Sequence, residues 1–259
     1  MSTPPSNPFT AWLRWLESPS GAQLIAAEQA WFDRRLADAF GYKAVALAPP
    51  HLEPLRTNRM AGRGTIQLYA PLEPHPPSEV GVVVCSPDAL PFESESLDLL
   101  VLAHALEQVE DPHALLREAE RVLIPEGRLV VVGLNPHSLW ALHRPEATVS
   151  FPPISGRWIS SGRIRDWCKL LGLSVDQGEL GIYRPVCRTP TWWNRLAWLE
   201  PAGARWWPML GAIYWIGAVK RKAGLRVISP TWRTAGRRPK GTAVVTPTQA
   251  HREGQRRVA

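Results

Sequence analysis

Cysteine is scarce in this 259-residue chain. Cys85, Cys168 and Cys187 are odd in number, widely spaced and outside any C-x-x-C or clustered Cys/His pattern. Neither a disulfide framework nor a zinc or other metal site is expected, and a reducing cytoplasm is the expected compartment. Long apolar runs are missing too: the longest uncharged apolar stretch, Trp206–Val219, has 14 residues and is interrupted by Pro208, against about 18 to 20 for a spanning helix. Met1–Pro8 has no basic segment followed by an apolar one, so no secretory signal is expected. No G-x-G-x-x-G occurs, which weighs against a dinucleotide-dependent oxidoreductase. With 45% hydrophobic and 20% charged residues, the chain can bury a sizeable core and is neither disordered throughout nor collagen-like.

Acidic residues nearly vanish from the C-terminal end. Residues 220–259 hold 11 Lys and Arg against one acid, whereas residues 1–219 hold 19 against 22. The net charge of +7 therefore belongs to the tail. Beyond residue 233 the tail is rich in Gly, Pro and Thr and lacks apolar periodicity, so it is expected to be disordered. Two readings stand: an electrostatic arm for nucleic acid or an anionic surface, or a solubilising tail without a partner.

The organisation expected is N-terminal helices over residues 1–41, an α/β domain over 42–222 and the basic tail over 223–259. A short helix carries Trp12, Trp15 and Leu16, and Ser18-Pro19-Ser20-Gly21 breaks it. Ala22–Phe40 has helical apolar spacing, with Gly41 as its stop. Four runs, Ala44–Ala48, Val80–Cys85, Leu97–Leu102 and Leu129–Leu134, are apolar at nearly every position, as strands buried on both faces should be. Thr65–Tyr69 is a weaker fifth. Between the third and fourth runs Asp111 can cap a helix with Pro112 in its first turn and Leu115, Ala119 and Val122 on one stripe; Pro125-Glu126-Gly127 then turns the chain back. The result is a βαβ unit. A helix Gly162–Leu171, capped by Ser160 or Ser161, precedes a strand Leu173–Val175. After a Trp-rich segment, Ala212–Lys220 reads as a last strand, and these two strands suggest an antiparallel pair at one edge of the sheet.

The string SPDALPFESESLDLLVLAHALEQVEDPHALLREAERVLIPEGRLVVVGLNP resembles the class I S-adenosylmethionine-dependent methyltransferases, specifically their type 11 branch. In order it shows an acid before a Leu-Pro-Phe loop, a Leu-Asp-φ-φ strand, a histidine-bearing loop, Asp-Pro, a helix and Leu-x-Pro-x-Gly-x-φ. The resemblance implies a doubly wound, mostly parallel α/β sheet of Rossmann-like type with an antiparallel C-terminal edge strand and an order that reverses beside Ala44–Ala48. It also implies S-adenosyl-L-methionine bound at the carboxyl ends of the strands. Asp88 stands where the family's acid meets the adenine amino group, with Ala89 and Leu90 beside the ring and Leu47, Ala48 and Ala103 lining the rest. His104 stands beside the transferred methyl, where it can be a general base, a positioning residue or the start of a helix.

Two family features are missing. The loop after the first strand should be rich in glycine, but reads AVALAPPHLEP, where Pro49 and Pro50 remove two N–H donors. The second strand should end in an acid, and Glu73 is the only one nearby. Two functions follow: a methyltransferase that transfers a methyl group to an unidentified acceptor by in-line displacement, or a degenerate methyltransferase fold that acts as an interaction module. The Trp-rich segment reads as a lid or acceptor pocket, or as a helix packed on the sheet. Asn135-Pro136 is similar to dipeptides near methyl acceptors and is also a turn signal.

Overall fold

The apolar runs form one seven-stranded sheet. In chain order the strands are β1 Lys43–Leu47, β2 Gly62–Gln67, β3 Val83–Val84, β4 Leu97–Ala103, β5 Leu123–Leu134, β6 Leu173–Gly181 and β7 Ile213–Lys220. They lie in the order β3-β2-β1-β4-β5-β7-β6. The computed structural model describes residues 8–67, 83–84, 89–142, 158–187 and 189–221. The chain divides into units Met1–Ala223 and Gly224–Ala259; the described residues all belong to the first, and the basic tail beyond Arg221 lies outside them.

β1 pairs parallel with β2 and β4, and β4 pairs parallel with β5. The order thus reverses beside β1, as the resemblance implies. β7 pairs antiparallel with both β5 and β6, so β6 is outermost and runs in the direction of β5. Alternate residues serve two cores. Ala44, Ala46, Leu99, Val101, Val130 and Val132 face a layer that includes α1 (Pro8–Leu16) and α2 (Pro19–Arg35). Val45, Leu47, Leu100, Leu102, Leu129 and Val131 face α3 (Pro112–Val122) and α5 (Ser161–Leu170). That two-sided burial explains why the central runs are apolar at consecutive positions.

Four boundaries differ from the sequence expectation. α1 ends at Leu16, so the helix breaks before Ser18 as expected, but Pro19, Ser20 and Gly21 already belong to α2: the Ser18 hydroxyl accepts from the Gly21 N–H at 3.1 Å, and Pro19 fills the first turn. The same helix ends at Arg35, not Phe40. The Asn58 amide donates to the carbonyls of Leu36 and Ala39 at 2.6 and 3.2 Å, satisfying acceptors outside the helix, and Phe40 is exposed. Pro125-Glu126-Gly127 lies within β5 as a bulge, with Glu126 at φ 64°. A Cβ at Gly127 would sit 2.8 Å from the Ile124 carbonyl oxygen. β6 extends well past Val175, and its added residues are polar because an outermost strand leaves them half-exposed or exposed.

Asp111 and Ser160 cap α3 and α5 as expected. Lys220 fastens the end of β7 to the turn between α3 and β5: its Nζ donates to the carbonyls of Glu120 and Leu123 at 2.7 and 2.9 Å and pairs with Glu120 Oε1 at 2.9 Å. Lys220→Met strands two acceptors and should lower unfolding free energy by about 1–3 kcal/mol in urea titration. A loss within about 0.5 kcal/mol, the range of ordinary surface substitutions, would show that the fastening is dispensable.

Candidate functional site

At the order reversal, the carboxyl ends of β1 and β4 lie side by side, with Leu47 opposite Leu102. Open α/β sheets bind their ligands at such a place. Leu47, Ala48, Ala103 and His104, expected from sequence to line a site, are brought together here, and all four are buried. Leu90 is buried and Ala89 exposed on the neighbouring loop. Asp88 lies outside the described residues.

His104 leaves β4 with φ at 54°, a left-handed conformation uncommon outside glycine. Its N–H donates to the Val132 carbonyl at 2.9 Å, which holds this turn against β5. The ring is 1% exposed. Nε2 donates to Glu28 Oε1 at 2.7 Å and Nδ1 to Glu107 Oε2 at 3.2 Å. Burial, the largest single influence, pushes the imidazole pKa down. The Glu28 charge, the hydrogen bonds to Glu107 and Glu28 and the Glu107 charge together outweigh it and raise the pKa to about 10. At neutral pH the ring is an imidazolium with both nitrogens engaged, an arrangement that leaves neither to accept a proton from another molecule.

The carboxylates are residues that sequence reasoning passed over, although the helix and the loop that carry them were expected. Glu28 is fully buried on α2, between Leu24 and Phe32 on the same stripe. An acid spaced four residues from each of two core positions was a legible signal. Glu107 follows β4, and its Oε1 accepts from the Leu134 N–H at 2.5 Å. Beside it the Tyr214 hydroxyl is held well above its ordinary pKa by burial. A Cβ at position 133 would lie 2.8 Å from Glu107 Oε1, so β5 needs glycine there. Glu28 Oε2 has no hydrogen-bond partner among the described residues. Trp12 lies 5.2 Å from the His104 ring and stacks on Trp15, which meets Trp140 edge-on. These indoles close the α2 side of the triad.

The loop after β1 is committed to other contacts. The Ala48 N–H donates to the Ile66 carbonyl at 3.4 Å, and Pro49 and Pro50 carry no N–H. Gln29 on α2 exchanges two hydrogen bonds with the Glu53 backbone at 2.9 and 3.0 Å, and Asp33 pairs with Arg56. A cavity of about 740 Å³ opens between this loop and α2, lined by Ile25, Gln29, Asp33, Pro50, His51 and Arg56 among others; none of the expected site residues lines it. The Leu-Pro-Phe loop is held to α3 instead: the Leu90 N–H donates to Glu118 Oε2 at 3.0 Å, while Arg121 donates to the Leu90 and Phe92 carbonyls. Asn135 is consumed structurally, its amide donating to the carbonyls of Met209 and Gly211 at 2.8 and 2.9 Å.

Residues 65–131 match the family model described as a methyltransferase domain. The fold is that of a class I methyltransferase. An S-adenosylmethionine-dependent methyltransferase of Archaeoglobus fulgidus superposes with a TM-score of 0.53 at 15% identity, over 76% of this chain and 94% of that one. A second, from Thermotoga maritima, gives 0.51 at 16% identity over 82% and 100%. In sequence the chain is 42% identical to the uncharacterized Escherichia coli protein YafS over 94 residues, and 37% identical to the demethylmenaquinone methyltransferase of Chlamydia pneumoniae over 59 residues. These matches span 36% and 21% of this chain, and only 39% and 26% of the relatives' own lengths. Among the described residues, no helix is long and apolar enough to cross a membrane.

The triad makes stability depend on pH. His104 rises from 6.5 to about 10 on folding, so its stabilisation is full below pH 6.5 and is lost as pH climbs through 10. Unfolding free energy should fall across that window with a slope of up to about 1.4 kcal/mol per pH unit. Glu28→Gln should flatten the slope. Denaturant titrations showing the same pH profile in both proteins would refute the ion triad.

Proposed function

We propose that the chain is a methyltransferase that transfers a methyl group from S-adenosyl-L-methionine to an acceptor by in-line displacement, in a cytoplasmic setting. The observation that carries this reading is the His104 turn at the order reversal, in a fold of this class and inside the stretch that matches the methyltransferase domain. The donor set fits the cofactor in charge. A sulfonium and an ammonium are cations, and Glu28 offers an unpartnered carboxylate oxygen.

When bound, the cofactor supplies an activated methyl on sulfur, so the protein need provide only placement and exclusion of water. Leu47, Ala48 and Ala103 supply an apolar floor. Asp88, with Ala89 and Leu90, would hold the adenine, and the attachment of that loop to α3 fixes its position. His104 acts as a positioning residue: as a cation between Glu28 and Glu107 it fixes both carboxylates and thereby the local charge. Trp12, Trp15 and Trp140 keep water from the α2 side. Pro49 and Pro50 carry no N–H, so these two positions give the cofactor no backbone donor.

Calorimetric titration with S-adenosylmethionine and its demethylated product tests the proposal. One molecule should bind per chain, and Asp88→Ala should weaken binding by about 1–3 kcal/mol through loss of the adenine hydrogen bond. Unchanged affinity in that variant would remove Asp88 from the site. A folded protein that takes up neither ligand would overturn the enzymatic reading.

A further inference from the structure

The loop between β6 and β7 holds the Trp-rich segment, for which the sequence left open a lid, an acceptor pocket or a helix packed on the sheet. It forms two short helices, α6 (Pro190–Arg195) and α7 (Leu199–Trp206), followed by a 3-10 turn, Pro208–Leu210. Trp193 takes the Arg184 guanidinium over its ring at 4.7 Å, and Gly203 packs against Tyr183. Three other indoles turn outward: Trp192, Trp198 and Trp206 are 58%, 61% and 73% exposed, and Met209 is 66% exposed. Most of the large exposed apolar side chains among the described residues are thus concentrated in one loop, well beyond scattered surface hydrophobics.

Charge accompanies the indoles. The Arg195 guanidinium lies over the Trp192 ring at 5.3 Å and that of Arg205 over Trp206 at 5.8 Å. Among the described residues neither arginine pairs with a carboxylate. The loop's only acid, Glu200, is taken by Arg184 at 3.0 Å. Exposed indoles next to unneutralised guanidiniums match the boundary of an anionic bilayer, where the ring enters the headgroup region and the cation meets phosphate.

Topology sets where this face lies. β6 runs in the direction of β5, so the loop leaves the carboxyl edge of the sheet, and Asn135 at the end of β5 ties it there through the Met209 and Gly211 carbonyls. From these observations we infer that the α6–α7 loop is a peripheral docking face for an anionic phospholipid surface, with Trp192, Trp198 and Trp206 inserting and Arg195 and Arg205 contacting headgroup phosphates. This inference does not depend on methyl transfer.

Co-sedimentation of the full chain with phosphatidylcholine vesicles, with and without phosphatidylglycerol, tests it. The protein should partition onto the anionic vesicles, and the triple variant Trp192→Ala, Trp198→Ala, Trp206→Ala should lose about tenfold or more in partitioning with an unchanged melting temperature. Arg195→Gln with Arg205→Gln should weaken binding to anionic vesicles alone, and added salt should reproduce that loss. Equal partitioning of wild type and the triple variant would overturn the inference and leave any binding to the basic tail. So would absence of vesicle binding together with self-association that the triple substitution abolishes, which would place a second copy of the chain on this face.

Discussion

A buried imidazolium held between two carboxylates is the interaction on which the site's architecture depends. Glu28 belongs to α2, His104 and Glu107 to the turn after β4, and the Leu134 N–H to the end of β5. One charged cluster therefore joins the N-terminal helices to two central strands. Burying three ionised groups is costly, and the attraction offsets that cost only when the geometry is good and the remaining polar atoms are satisfied. Glu107 meets that condition through Leu134 and His104; Glu28 meets it with one oxygen only. The left-handed φ of His104 points the same way, since such a conformation persists only where surrounding contacts dictate it.

The triad also explains why α1 sits where it does. Ions in a low-dielectric interior attract more strongly than in water, and Trp12, with Trp15 behind it, keeps solvent off the ring. The N-terminal helices are thereby part of the site: α2 contributes a charge, α1 covers it, and Gln29 and Asp33 hold the loop after β1 against the same helix.

Sequence revealed the sheet far better than the charges within it. β1, β4 and β5 were legible because burial on both faces writes an uninterrupted apolar run. β6 was legible only at Leu173–Val175, because an outermost strand relaxes that demand and its polar residues cannot be told from a loop. The overrun of α2 toward Phe40 has the same root: apolar spacing continued, yet Asn58, more than twenty residues away, captured the carbonyls that would have extended the helix. His104 could be singled out from the motif around it, but its partners lie at sequence separations of 76 and 3, and no local pattern announces a contact as distant as Glu28. The Trp-rich segment shows composition without direction, since nothing in its spacing separates the indole packed against Arg184 from the three that face outward.

The loop after β1 carries the final step. A glycine-rich loop binds through bare amides near a helix N-terminus, whereas here two prolines remove donors and stiffen the chain, and Gln29 occupies the backbone of Glu53. Such a loop cannot close around a ligand by rearranging its amides. What remains at the end of β1 is an apolar wall on the sheet that also carries the buried triad of Glu28, His104 and Glu107. On the proposed reading, discrimination for the cationic cofactor over its neutral-sulfur product resides in α2 and not in the loop.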